Sequence, residues 1–384
     1  MKPFAKLALE IPRSGIREIM ALSAEMDNVI HLEVGQPDFP TPPHIAEATC
    51  RHVREGQTKY IANAGVPELR AAVARYFEKK TGVPTNAENI LVTQGAVMSV
   101  ATACLALLDA GDEVLLPDPG WPNYRMAVSL LHGQPVFYNL RPEDQFLPSL
   151  AELESLVTPK TKLLLTCNPS NPTGQVTPPE LMEGLMDFAR RHDLYVLSDE
   201  IYGEVVFDHE HTSALSYDTD ERALIVTGMS KTYAMTGYRV GFTRARRDYI
   251  ELATKLQEPI VSCGVGFAQL AAAEGLEGPQ DSVRKMREAY KSRRDAALEV
   301  LREYDLYRYT PGGAFYLLVD ISSTGMDSRD FALKLLAEKQ VAVAPGKTFG
   351  QMCRDHIRIS IAATEDDVRE GLRRICTMIQ EHPR

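Results

Sequence analysis

The chain has a single tryptophan, Trp121, and only six cysteines, none of them in a Cys-x-x-Cys pair. Without paired spacing, neither a zinc site nor a disulfide framework is indicated. The thiols read instead as small apolar residues of a protein kept in a reducing cytoplasm. An excess of positive charge is also missing. The formal charge is −10 at pH 7, which argues against nucleic acid as a partner, because such proteins need a basic face for phosphates. No apolar run approaches the roughly 18 residues of a membrane span. Lys6 interrupts the first apolar residues, so they make a poor signal peptide and no membrane partner is expected. Internal repeats and low-complexity linkers are absent too. What remains is an ordinary globular composition, 44% hydrophobic and 24% charged, over 384 residues. A single core of that length is unusual, so two domains are expected.

From about residue 90, short apolar runs alternate with helical patterns. Ile90-Leu91-Val92-Thr93, Glu113-Val114-Leu115-Leu116, Lys162-Leu163-Leu164-Leu165-Thr166, Leu194-Tyr195-Val196-Leu197-Ser198 and Ala223-Leu224-Ile225-Val226-Thr227 read as strands. Near-continuous apolar strands separated by helices imply a mostly parallel sheet covered on both faces. Residues 179–191 read as one of those helices, with Leu181, Leu185 and Phe188 on one face. After Thr254 the pattern changes. Residues 269–303 form a long, charged helical stretch. Strands are expected at residues 314–319, 341–344 and 356–360, and helices at 329–339 and 365–379. This is the pattern of a smaller α+β unit. The Pro- and Gly-containing N-terminal segment, with no core of its own, is expected to join it.

Functional groups of such a sheet gather at the carboxyl ends of its strands. Asp199 ends one strand, Lys231 follows the next, and Asn171 lies in the loop after a third. Gly95-Ala96-Val97 turns from a strand into a helix, where free N–H groups and the dipole favour an anion. Tyr202 and Arg239 complete a set of amine, carboxylate, phenol, amide and guanidinium within about seventy residues. That set can hold and use pyridoxal 5'-phosphate (PLP). The amine bonds to the aldehyde, the carboxylate keeps the pyridine nitrogen protonated, and the cation meets the phosphate. Tyr202 and Asn171 can both reach the ring hydroxyl oxygen and draw the pKa of the bound nitrogen toward neutrality.

Each residue has a plainer reading. Gly95 alone is a tight strand-to-helix turn, and Asp199 alone is a helix N-cap. A lone tryptophan is usually core, but Trp121 sits in the breaker-rich Pro119-Gly120-Trp121-Pro122-Asn123-Tyr124, a poor core address. Stacking on a flat ring is its sharper alternative. Arg358, inside an apolar strand, needs a partner, and a bidentate grip on a substrate α-carboxylate suits a guanidinium. His209-Glu210-His211 reads as a solvated turn rather than a metal site. Arg244, Arg246 and Arg247 read as a solvated loop. Cys263-Gly264-Val265-Gly266 lacks the third glycine of a dinucleotide fingerprint.

Taken together the motifs resemble the class I/II aminotransferases of the PLP-dependent fold-type I superfamily, nearest to the bacterial aspartate/aromatic-type subgroup. The resemblance runs from Leu32-Glu33-Val34-Gly35-Gln36-Pro37-Asp38 through Thr58-Lys59-Tyr60, Asn168-Pro169-Ser170-Asn171-Pro172-Thr173-Gly174 and Ser198-Asp199-Glu200-Ile201-Tyr202. It continues in Ser230-Lys231-Thr232-Tyr233-Ala234-Met235-Thr236-Gly237-Tyr238-Arg239, Gly313-Ala314-Phe315-Tyr316 and Ile357-Arg358-Ile359-Ser360. It implies an α/β fold with a mostly parallel seven-stranded sheet in a large PLP-binding domain, residues 46–275. Residues 1–45 and 276–384 form a small α+β domain closing over the site. Lys231 is implied as the covalent anchor and proton shuttle, Asp199 as the partner of the pyridine nitrogen, and Asn171 and Tyr202 as ligands of the ring oxygen. Trp121 is implied to stack on the ring, and Ala96, Val97, Ser230 and Arg239 to hold the phosphate. Tyr60 is implied to reach the phosphate of a neighbouring subunit, making a homodimer with shared active sites. Arg358, with Gly35 nearby, takes the α-carboxylate.

Two departures stand out. Gly228 occupies a position where many relatives carry a phosphate-binding serine, and Pro259-Ile260-Val261-Ser262-Cys263-Gly264 replaces a more polar stretch. Loops near residues 11–16 and 258–266 are expected to set the polar groups facing the pocket. The expected activity is exchange of an amino group between an L-amino acid and a 2-oxo acid by a ping-pong mechanism. A PLP-dependent C–S lyase or related elimination enzyme uses the same cofactor residues and is the alternative. A non-catalytic PLP-binding regulator is the third reading, which the acidic charge disfavours.

Overall fold

The computed structural model describes residues 1–11 and 15–384. Its strands, in chain order, are β1 (Ile30–His31), β2 (Ile90–Thr93), β3 (Glu113–Asp118), β4 (Gln134–Asn139), β5 (Thr161–Cys167) and β6 (Tyr195–Asp199). They continue with β7 (Ala223–Gly228), β8 (Gly241–Arg244), β9 (Tyr316–Asp320), β10 (Val341–Ala342), β11 (Ala344–Pro345) and β12 (His356–Ser360). Seven of them form one sheet in the order β2-β8-β7-β6-β5-β3-β4. Pairing is parallel from β7 through to β4. β8 runs against both its neighbours, so β2 points the same way as β7. The carboxyl ends of β2, β3, β5, β6 and β7 therefore open on one edge.

The middles of the central strands are apolar because both faces are covered. Along β7, Ala223 and Ile225 enter one core while Leu224 and Val226 enter the other. In β5, Leu164 faces the first core and Leu163 and Leu165 the second. The helix Pro179–Arg191 packs Met182, Leu185, Met186, Phe188 and Ala189 inward. Pro179 and Glu180 begin it, and Arg190 and Arg191 close it, as the helix dipole favours.

A third core is built by Leu317, Val319, Phe331, Leu335, Ile357, Ile359 and Ile375. Ile19 and Leu32 of the N-terminal segment pack into it. β11, β12 and β9 form an antiparallel sheet there, and β1 pairs in parallel with β10. Among the described residues no helix is long and apolar enough to cross a membrane.

Several sequence expectations are corrected. The strand expected over 341–344 is split at Val343, because its first half pairs with β1 and its second with β12. The long helix expected over 269–303 is two helices, Gly266–Glu277 and Asp281–Glu303. Gly278 ends the first, and Pro279 has no N–H to continue it. Arg244 is no loop residue. It ends β8 at 3% exposure and faces Asp218. His209 and Glu210 are exposed, but His211 is drawn in to Glu200 Oε2 at 2.9 Å.

Candidate active site

The open edge of the large sheet borders a cavity of about 650 Å³. Every residue given a cofactor or substrate role from the sequence lines it except Tyr60, whose side chain stands free at 91% exposure. Short segments leaving the strands place them. Lys231 sits in the single helical turn Met229–Thr232 directly after β7, with Ser230 beside it. Asp199 is the last residue of β6, and Asn171 follows β5. Trp121 follows β3 and caps the helix Pro122–Leu130.

Lys231 Nζ donates to the Gly35 carbonyl at 2.6 Å and lies 5.8 Å from the centre of the Phe315 ring. Burial, then the positive charges of Arg358 and Arg239, bring its pKa down to about 8. A substantial neutral fraction is thus present at mildly alkaline pH, as a nucleophilic amine requires. Asp199 is 2% exposed, and burial raises its carboxyl to about 6. Hydrogen bonds from the Tyr124 hydroxyl (2.7 Å, to Oδ2) and the Ile201 amide (3.1 Å, to Oδ1) oppose that rise. A buried carboxylate of this kind gains by receiving a cationic N–H.

Arg358 is buried, and desolvation lowers its pKa. Its guanidinium carbon lies 4.3 Å from the centre of the Tyr316 ring and 4.7 Å from that of Phe349. Nη1 donates to Asn171 Oδ1 at 3.2 Å, and Nη2 donates to the Glu33 carbonyl. Nε is buried with no partner, so one donor of the fork remains to be satisfied. With its oxygen turned to Arg358, Asn171 presents its amide nitrogen elsewhere. Tyr202 and Tyr316 share a hydrogen bond between hydroxyls at 2.9 Å, and burial raises both phenols.

At the other end, the helix Ala96–Leu107 starts after Gly95, which has φ of +78°. A Cβ there would collide with the Arg239 guanidinium, so glycine lets that cation lie against bare helix-start backbone. Ala96 and Val97 supply the first turn. Arg239 is oriented by the carbonyls of Thr236 (2.9 Å) and Gln94 (3.3 Å).

The residues fit PLP on these observations. An amine of lowered pKa, a buried carboxylate and a bare helix start with a guanidinium line one cavity. Among the described residues no cluster suited to a metal ion is found. Sequence reasoning missed Tyr124 and Tyr316 as site residues, and Arg17 and Met20 of the helix Gly15–Ser23 as cavity walls. Tyr124 and Tyr316 both belong to motifs legible in the sequence, but their contacts reach far across the chain. Of the loop expected near residues 11–16, Ile16 lines the cavity, and residues 12–14 lie outside the described residues. The stretch 258–266 does not line the cavity within this chain.

The family model for aminotransferase class I and II matches residues 27–375. The aspartate aminotransferase of Pyrococcus horikoshii is 36% identical over 375 residues, covering 97% of this chain and 96% of the relative. Aromatic-amino-acid aminotransferase 2 of Thermococcus litoralis is 37% identical, covering 96% of each. The structure of Thermus thermophilus aspartate aminotransferase with maleate superposes with a TM-score of 0.94 at 35% identity, covering 98% of this chain and 100% of that one. These relatives are aminotransferases, which favours amino transfer over the elimination alternative. Members of the family use PLP to move an amino group between amino acids and 2-oxo acids. This chain belongs to the class I and II aminotransferases, and its fold is that of the PLP-dependent fold-type I enzymes.

Proposed function

We propose that this cavity performs the transfer with Lys231, Asp199 and Arg358 as its central groups. The observation that carries the reading is their convergence, each buried, each with a displaced pKa, on one cavity at the strand ends. When bound, PLP supplies an electron-poor ring that stabilises negative charge developing at the substrate Cα. Lys231 Nζ would hold the cofactor covalently and would serve as the base that takes up and returns the substrate Cα proton. Asp199 holds the proton on the ring nitrogen, and Tyr124 holds Asp199. The Asn171 amide and the Tyr202 hydroxyl serve the ring oxygen, and Trp121 covers the ring face. Ala96, Val97, Ser230 and Arg239 hold the phosphate. Arg358 takes the substrate α-carboxylate, with Gly35 shaping the space beside it.

Tyr60, exposed at the surface of this protomer, serves the phosphate of a second subunit, so the working unit is a homodimer. Residues 1–45 and 276–384 form the small domain closing on residues 46–275. All six cysteines are free thiols, which fits a cytoplasmic protein. Arg17 lines the cavity, and among the described residues it has no ion-pair partner. With Arg239 and Arg358 otherwise engaged, Arg17 is left for a second substrate carboxylate, so an acidic amino acid is a donor.

Two experiments test this. Lys231→Ala should lose the visible absorbance of the loaded enzyme and all turnover, and retention of full activity refutes the mechanism. In a panel of donors, Arg17→Ala should raise KM for aspartate about tenfold and leave phenylalanine near parent. Equal effects on both remove the acidic-donor assignment.

A further inference from the structure

Tyr316 opens β9 and is 2% exposed. Its parts touch different sides of the site. The hydroxyl meets the Tyr202 hydroxyl at 2.9 Å. The ring centre lies 4.3 Å from Arg358 Cζ, and the Phe349 ring also lies near that guanidinium, at 4.7 Å. Gly35, whose carbonyl accepts from Lys231 Nζ, has no Cβ because one would run into the Tyr316 hydroxyl, with Cζ only 2.9 Å away. One side chain thus adjoins the phenol assigned to the ring oxygen and the guanidinium assigned to the carboxylate. It also adjoins the backbone that steadies the amine.

The chemistry of the two contacts differs. A hydroxyl chain in a buried site strengthens the terminal donor, because each hydrogen bond polarises the next. Either hydroxyl can donate in this pair. When Tyr202 donates to an anionic ring oxygen, its own oxygen is left to accept from Tyr316, and that bond would make Tyr202 the better donor, which favours the unprotonated cofactor-bound nitrogen. The ring acts on Arg358 through its face, by attraction to a cation that burial has stripped of water. That contact also fixes the plane of the fork, on which a bidentate grip depends.

We propose that Tyr316 is a positioning residue with two separable duties. Its hydroxyl tunes the cofactor end of the site through Tyr202, and its ring orients Arg358 for the substrate carboxylate. This rests on the roles given above to Tyr202 and Arg358.

The test uses loaded enzyme and two readouts. One is the pH midpoint of the visible band without substrate. The other is the dissociation constant of a 2-methyl amino acid, which carries the α-carboxylate but no Cα hydrogen. Tyr316→Phe should move the midpoint upward and change the dissociation constant less than about twofold. Tyr316→Leu should weaken the ligand about tenfold or more, the loss of a desolvated cation–π contact. Gly35→Ala, which must displace the hydroxyl, should reproduce the upward midpoint. It keeps the first duty testable should Tyr316→Phe fail to fold, and Tyr316→Met, which also removes the ring, replaces Tyr316→Leu in the second test should that variant fail to fold. An unmoved midpoint in both Tyr316→Phe and Gly35→Ala overturns the first duty. Ligand weakening by Tyr316→Phe as large as that by Tyr316→Leu overturns the second. Tyr202→Phe and Arg358→Lys serve as references. If Tyr202→Phe leaves the midpoint unmoved, or Arg358→Lys leaves the ligand affinity intact, the underlying assignment fails rather than the role of Tyr316.

Discussion

Replacing Asp199 by asparagine isolates charge from shape. The side chain is 2% exposed and nearly isosteric with the amide. Its oxygen can still accept from the Ile201 amide, as Oδ1 does at 3.1 Å. The Tyr124 hydroxyl, now 2.7 Å from Oδ2, then meets an NH2 group and turns to accept. Packing survives, but the negative charge opposite a protonated ring nitrogen is gone. Removing one member of a buried charge pair costs roughly 3–5 kcal/mol. If that loss falls on the state in which the ring carries the most electron density, the rate falls by about two to four powers of ten. The assay is single-turnover conversion of the loaded enzyme by an amino acid, followed in the visible band, with loading measured separately. Asp199→Asn should load cofactor and react at least a hundredfold more slowly. A fully loaded variant within tenfold of parent would refute the claim that this carboxylate keeps the ring nitrogen protonated.

Three further outcomes follow from the same geometry. Tyr124→Phe removes a hydrogen bond that lowers the Asp199 pKa, so the carboxyl rises further and the acid limb of the pH–rate profile shifts upward. A bond to a charged group is worth roughly 1.5–3 kcal/mol, so about tenfold or more is lost below neutrality, and an unmoved limb contradicts it. In cofactor-free protein, the amine of Lys231, held near 8, titrates below its unfolded value. Its stabilising contribution is present above the unfolded pKa and lost as pH falls through about 8. Asp199, raised to about 6, contributes stability at low pH that is lost as pH rises through that value. Lys231→Met should therefore stabilise the cofactor-free protein at pH 7 by up to about 3 kcal/mol in urea titrations, and the gain should shrink above pH 10. Destabilisation at pH 7 would contradict it. Gly228→Ser should lower Tm, and an unchanged or raised Tm would contradict the close packing at this position. A Cβ there meets the Val240 carbonyl at 2.7 Å and Gly241 Cα at 2.9 Å, backbone atoms that must shift at a cost of about 1–3 kcal/mol.

The central strands are legible because burial on both faces leaves apolar runs in the middle of β3, β5, β6 and β7, with polar residues confined mostly to their ends. The edge positions were not. β4 carries Pro135 and mixed polarity, so no strand is read there from the sequence, yet a strand paired on one side tolerates both. β8 is four residues ending in Arg244, and its strand state depends on lying between β2 and β7. The division of 341–344 between two sheets depends on which partner each half meets. No local pattern carries that information.

The site divides along the same line. Groups that reach the cavity from the end of their own strand or turn, such as Lys231, Asp199 and Asn171, could be placed from order along the chain. Groups that act through another residue could not. Tyr124 matters because it reaches Asp199, 75 positions away, and Tyr316 because it reaches Tyr202, 114 positions away. Both phenols could equally be core aromatics, and burial raises the pKa of each as it does for Tyr138 and Tyr309 elsewhere. What separates them is the partner. Tyr138 and Tyr309 spend their hydroxyls on the carbonyls of Leu165 and Thr173. Tyr124 and Tyr316 spend theirs on side chains that border the cavity. Gly35 carries the one trace of this in the sequence, since a residue with no side chain beside the site is the condition for the Tyr316 hydroxyl to stand where it does.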